Sequence, residues 1–143
     1  MYDRWNLIND QIHVKLGKMT ENEISYKIRG AIYKVYNELG PGLLESAYEA
    51  MLVFELKKSG LEIQNQVPLP LIREGVRLDV GYRIDIIVEK KVIIEIKSVE
   101  TLTKVHHKQV LTYLRISGLK LGILVNFNVD DINKSIHRKV NRL

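Results

Sequence analysis

The chain contains no cysteine, which removes disulfides and thiolate-held metals from consideration and is compatible with a reducing compartment. It has four histidines, and neither His106 nor His107 has a second His or Cys at ligand spacing, which argues against a zinc site. No apolar run approaches the length of a membrane span, and the opening MYDRWNLINDQ lacks the apolar centre of a signal peptide. The expectation is a cytoplasmic protein with no membrane partner. There are three prolines, and two of them, Pro68 and Pro70, fall in one extended stretch, so that stretch should lie at a sheet edge or carry a bulge.

What is present suits one core. A chain of 143 residues with 45% hydrophobic content can bury a single core and is short for two domains. The formal net charge is +5, unevenly placed: residues 1–98 hold 14 basic and 14 acidic side chains, residues 99–143 hold 8 and 3. A basic C-terminal third favours phosphate contacts, and it would equally serve as a solvated surface. Both readings stay open on charge alone.

The most informative stretch is Gly81 to Ser98, GYRIDIIVEKKVIIEIKS. Both arms alternate apolar with polar, which predicts two strands joined at Glu89-Lys90-Lys91. Setting Val88 opposite Val92 brings Ile86 to Ile94 and Ile84 to Ile96 on one face. The other face then sets Asp85 across from Glu95 and Arg83 across from Lys97, with Ile87 against Ile93. Opposed carboxylates weaken a sheet unless a cation lies between them, and oxygen ligands suit Mg²⁺ or Mn²⁺.

An Asp followed about ten residues later by Glu-x-Lys on paired strands resembles the PD-(D/E)XK nucleases, here Asp85 and Glu95-Ile96-Lys97. Three further runs are similar to the GxxExxY family, a bacterial group within that superfamily. They are Gly42-Leu-Leu-Glu45-Ser-Ala-Tyr48, His106-x-x-Gln109-x-x-x-Tyr113 and Gly122-Ile-Leu-Val-Asn126-Phe127. The resemblance covers roughly residues 19 to 128. It implies a restriction-endonuclease-like core, a mixed central sheet flanked by helices, in a domain over residues 19–143. It also implies a metal-dependent nuclease acting on phosphodiester bonds of nucleic acid, DNA in particular. Asp85, Glu95 and the Ile96 carbonyl would hold Mg²⁺ or Mn²⁺, Glu45 would ligate it directly or through water, and Lys97 would orient a water or stabilise charge on the phosphate. His106, Gln109 and Tyr113 would support the site. The rival readings are a catalytically weak nucleic-acid-binding domain and a protein-interaction module, such as a homodimer.

In chain order, residues 1–18 show no firm periodicity and read as an extension, conceivable as a short helix on the domain or on a partner. Thr20-Glu-Asn-Glu23 has the form of a capping box, with Ile24, Ile28, Ala31, Ile32, Val35 and Leu39 as the apolar stripe of the helix that follows. A second helix is expected from about Leu43 to Ser59, buried through Leu44, Ala47, Met51 and Leu52. Glu45, Tyr48 and Glu49 share one of its faces. Glu45 by itself reads equally as a first-turn acid favoured by the helix dipole, and Tyr48 as a packing and hydrogen-bonding residue. Leu61 to Ile72 reads as one extended segment, and Val76 to Val80 as the lead into the hairpin. A third helix over about Lys104 to Ile116 takes Val105, Val110, Leu111 and Leu114 as core. Leu119 to Phe127 reads as a strand buried on both faces. Residues 129–143 fit a last strand or part of a helix.

Overall fold

The computed structural model describes residues 19–143. The extension expected over residues 1–18 lies outside the described residues. Helix α1 (Glu21–Leu39) starts at the capping box: the Glu23 amide donates to Thr20 Oγ1 and the Thr20 amide to Glu23 Oε1. Its buried stripe is Ile24, Ile28, Ala31, Ile32 and Val35. Helix α2 (Glu45–Lys58) begins two residues later than expected and buries Tyr48, Leu52 and Leu56. Leu44, expected in the core, is 76% exposed. It stands in extended backbone as the cap residue, so the inward stripe starts one turn later, at Tyr48.

Five strands form the central sheet, which runs from β1 (Ile63–Pro68) through β4 (Arg83–Val88), β5 (Val92–Lys97) and β6 (Leu121–Asn126) to β7 (Ile136–Val140). A 3-10 turn, Ile132–Ser135, precedes the last of them. All neighbours run antiparallel except β5 and β6, which are parallel and joined through helix α3 (Lys104–Ser117). Proline-bearing β1 lies at an edge, where a missing amide donor costs no ladder bond, and β6 is buried along its whole length.

The extended segment expected to continue to Ile72 breaks at Leu69-Pro70. Beyond the break, β2 (Leu71–Arg73) pairs only with β3 (Val76–Leu78), forming a separate two-stranded ribbon.

Two apolar clusters sandwich the sheet. The larger joins α1 and α2 to Ile86, Val88, Val92, Ile94, Ile96, Ile123 and Phe127. The smaller joins Val110, Tyr113 and Leu114 of α3 to Ile84, Ile87, Ile93 and Leu124. Two residues expected in the α3 core, Val105 and Leu111, are 71% and 39% exposed. The helix instead turns Tyr113 inward beside Val110 and Leu114. It lies close on the sheet at Gly122, where a Cβ would stand 2.7 Å from Val110 Cγ1.

The hairpin follows the expected register at Val88–Val92, Ile87–Ile93 and Ile86–Ile94. Its turn places Glu89 and Lys90 at positive φ, 54° and 57°, and the Lys91 amide donates to the Val88 carbonyl at 2.9 Å. Pairing ends at Ile86–Ile94, so the expected Ile84–Ile96, Asp85–Glu95 and Arg83–Lys97 backbone partners do not form. Beyond that point β4 leaves β5, and Ile84 joins Leu69, Ile87 and Ile93 in the smaller cluster rather than Ile86 and Ile94 in the larger.

Candidate active site

Where β4 and β5 part, side chains take over the ladder. The Asp85 amide donates to Glu95 Oε2 at 2.8 Å, and the Ile96 amide donates to Asp85 Oδ2 at 2.9 Å. Each carboxylate therefore satisfies a backbone donor on the opposite strand that would otherwise be unpaired. This exchange holds both acids at the fork. Glu95 is only 3% exposed, and burial, reinforced by the charge of Asp85, pushes its carboxyl up to about 8. Burial also raises Asp85, opposed by its bonds from Ile96 and Gln66 and by the charge of Lys97. Lys97 is half-buried, and its charge lowers both acids, which sets it beside them as a fixed cation.

Helix α2 brings two more carboxylates. Tyr48, fully buried and stacked on Phe127 with ring centroids 4.3 Å apart, anchors the first turn. Its hydroxyl donates to the Gly40 carbonyl at 2.5 Å and accepts from the Leu43 amide at 3.1 Å, tying the preceding glycine turn to the helix. That fixes Glu45, whose Oε2 accepts from the Ser98 amide at 3.2 Å, while Ser98 Oγ donates to the Leu43 carbonyl at 2.6 Å. The charge of Glu45 reaches Asp85 and raises it. One turn on, Glu49 raises Glu95 and is itself raised, chiefly by burial. Gln66 bridges the two groups, its amide donating to Glu49 Oε1 at 2.8 Å and to Asp85 Oδ1 at 3.3 Å. Sequence reasoning left both Glu49 and Gln66 out of the site. The signal for Glu49 was its spacing of four from Glu45; Gln66, which stands at positive φ (53°) within β1, carries none.

Helix α3 supplies the far wall. Tyr113 is 3% exposed and lies close enough to Glu95 and Asp85 that their charges, after burial, help push its hydroxyl up to about 12. Gln109 lies one turn earlier and half-buried, at a shallow groove it shares with Tyr113. His106 is engaged elsewhere: its Nδ1 accepts from the Thr103 amide at 3.1 Å and caps the helix start. His107 stands edge-on to His137, centroids 5.0 Å apart. The structure thus brings Asp85, Glu95, Lys97, Glu45 and Tyr113 together, while Tyr48 and His106 hold backbone.

Among the described residues no group of three or more His, Cys, Asp or Glu is arranged as a ready metal cage. The donor set nevertheless fits a hard cation. Glu95 Oε1 accepts no hydrogen bond among the described residues, although its carboxyl is buried, and none of Glu45, Glu49, Asp85 and Glu95 forms a salt bridge there. Mg²⁺ commonly takes one or two carboxylates and keeps several waters.

A family model described as the PD-(D/E)XK nuclease superfamily matches residues 22–139. The chain belongs to that superfamily. Comparison with curated proteins and with solved structures gave no match. As a PD-(D/E)XK protein the chain has a nuclease-type fold and function, in a superfamily whose members generally use divalent metals on nucleic acid. The five-stranded mixed sheet between helices is the architecture expected of it. No helix among the described residues is long and apolar enough to cross a membrane.

Proposed function

We propose that this PD-(D/E)XK protein, as a member of the GxxExxY group, hydrolyses phosphodiester bonds of DNA with Mg²⁺ or Mn²⁺. The observation that carries the reading is the fork, where Asp85 and Glu95 cap each other's strands in a buried setting and Lys97 is their nearby cation. The ion would be held by Asp85, Glu95 and the Ile96 carbonyl, with Glu45 or Glu49 reached through water. When bound, it supplies Lewis-acid polarisation and a lowered water pKa. The chain's own residues do the rest. Lys97 offers an ammonium to charge developing on the phosphate, Gln66 holds Asp85 and Glu49 in place, and Tyr48 and Ser98 fix the helix that carries Glu45. The basic C-terminal third neutralises backbone phosphates away from the reacting bond.

Purified protein incubated with circular and with linear DNA, in Mg²⁺, Mn²⁺ or EDTA, tests this. Products that form with metal and vanish with EDTA or with Asp85→Asn are expected. Salt-dependent binding with no product under any metal would leave a binding domain on this fold.

A further inference from the structure

Beside the carboxylates lies a groove that the proposed chemistry does not use. It opens to about 270 Å³ and is lined by Tyr82, Val105, Lys108, Gln109, Thr112 and Tyr113. Tyr82 stands three residues before Asp85, where the chain enters β4. Its ring lies 6.0 Å from Tyr113, inclined at 59°. The two tyrosines are not equivalent. Tyr113 is a buried wall, and the charges of Glu95 and Asp85 reach it; Tyr82 keeps 40% of its surface in solvent. Gln109 makes no side-chain hydrogen bond among the described residues, so its amide is free to meet a ligand. Lys108 adds an exposed ammonium at the rim.

An accessible aromatic ring, a free amide and a cation lining one groove, whose Tyr113 wall feels the charges of Glu95 and Asp85, form a chemically specific set. A purine or pyrimidine offers a π-face to the ring and polar edges to the amide, and its phosphate reaches the ammonium. In a duplex those faces are covered by neighbouring bases, so only an unpaired base can use the groove. We propose that the Tyr82–Tyr113 groove holds an unpaired nucleobase next to the scissile phosphate, making single strands, flaps or frayed ends the preferred substrate. This deepens the nuclease reading and rests on it.

The test measures binding and cleavage together, with Ca²⁺ replacing Mg²⁺ for the binding arm. The probes are a single-stranded oligonucleotide carrying 2-aminopurine, the same strand with one abasic position, and a blunt duplex. Tyr82→Ala should weaken single-strand binding by about tenfold, the scale of one base–aromatic stack, and abolish the quenching of 2-aminopurine. Duplex binding should not change. Tyr82→Trp should retain the single-strand preference, and the abasic strand should bind wild type and Tyr82→Ala alike. Because Tyr82 is substantially exposed, both variants should melt with wild type, which separates a missing stack from a damaged fold. Equal affinity of Tyr82→Ala and wild type for the single strand, or equal weakening for single strand and duplex, would overturn the groove assignment while a metal-dependent product kept the nuclease reading intact. Neither binding nor a product from wild type on any probe would overturn both.

Discussion

Asp85 donates its amide to Glu95 and receives the Ile96 amide on its own carboxylate, so each acid of the fork is a structural partner of the other's strand. The arrangement stabilises backbone and concentrates charge at the same point. Substitutions there should therefore separate folding from function.

Asp85→Asn is the first case. Asparagine keeps a carbonyl oxygen able to accept from the Ile96 amide, while the charge facing Glu95 and Glu45 is gone. The variant should fold with an unchanged or raised melting temperature and lose Mg²⁺ and Mn²⁺ binding, as functional sites commonly trade stability for charge. Thermal melts beside isothermal calorimetry check it. Unfolding of the variant would make Asp85 a structural acid and weaken its place in the site.

pH should act in an unusual direction. Glu95 is raised from 4.5 to about 8, so between those values the folded, metal-free protein keeps a proton that the unfolded chain has released. Stability is then fully expressed below 4.5 and is lost as pH rises toward 8. Asp85 and Glu49 shift the same way. Urea unfolding in EDTA across that window should show the fall, and Glu95→Gln should flatten it. Added Mg²⁺, which favours the ionised carboxylates, should reverse the slope.

Lys97 and the basic third should divide chemistry from binding. Lys97→Ala should lower cleavage by about a hundredfold or more, the scale of one preorganised electrostatic group, with little change in DNA affinity. Neutralising Lys104 and Lys134 together should weaken binding and reduce the log–log salt slope by about one unit for each phosphate no longer neutralised. Steady-state cleavage and salt titrations of binding, run on the same proteins, make the comparison. The binding-module reading gains if both variants lose affinity equally.

Tyr48→Phe tests the support beneath Glu45. Removing the hydroxyl leaves the Gly40 carbonyl and Leu43 amide without their partner, at a cost of about 1–3 kcal/mol. The stacked ring on Phe127 remains, so the protein should still fold. Lower stability together with weaker metal binding is the expected pair of results. Lower stability with unchanged metal binding would mean that Glu45 does not depend on this anchor.

Much of the architecture was legible because the controlling interactions are local. The capping box at Thr20, the alternation through Val88 and Val92, and the unbroken apolar run of β6 each state their structure within a few residues. The fork was not legible, because the alternation continues through Ile84 and Ile96 while the bonds that part the strands come from side chains meeting backbone across the hairpin. Gln66 reaches the site only through folding, its neighbours Glu49 and Asp85 lying 17 and 19 residues away in sequence. Leu44, Val105 and Leu111 fit an inward stripe by spacing yet lie exposed, because periodicity counts apolar residues without knowing where a helix starts or which large ring will claim the interface.

The fork also makes two amides into spectators of the chemistry. In an ordinary ladder the Asp85 and Ile96 N–H groups would face carbonyl oxygens, whose charge does not change. Here they face carboxylates, so protonation of Glu95 or capture of an ion by Asp85 must alter the field at a backbone proton. In nitrogen-15-enriched protein their shifts and exchange rates should therefore follow occupancy of the site without an attached reporter or a substrate, leaving the Ile87 and Ile93 amides as the unmoved reference within the same hairpin.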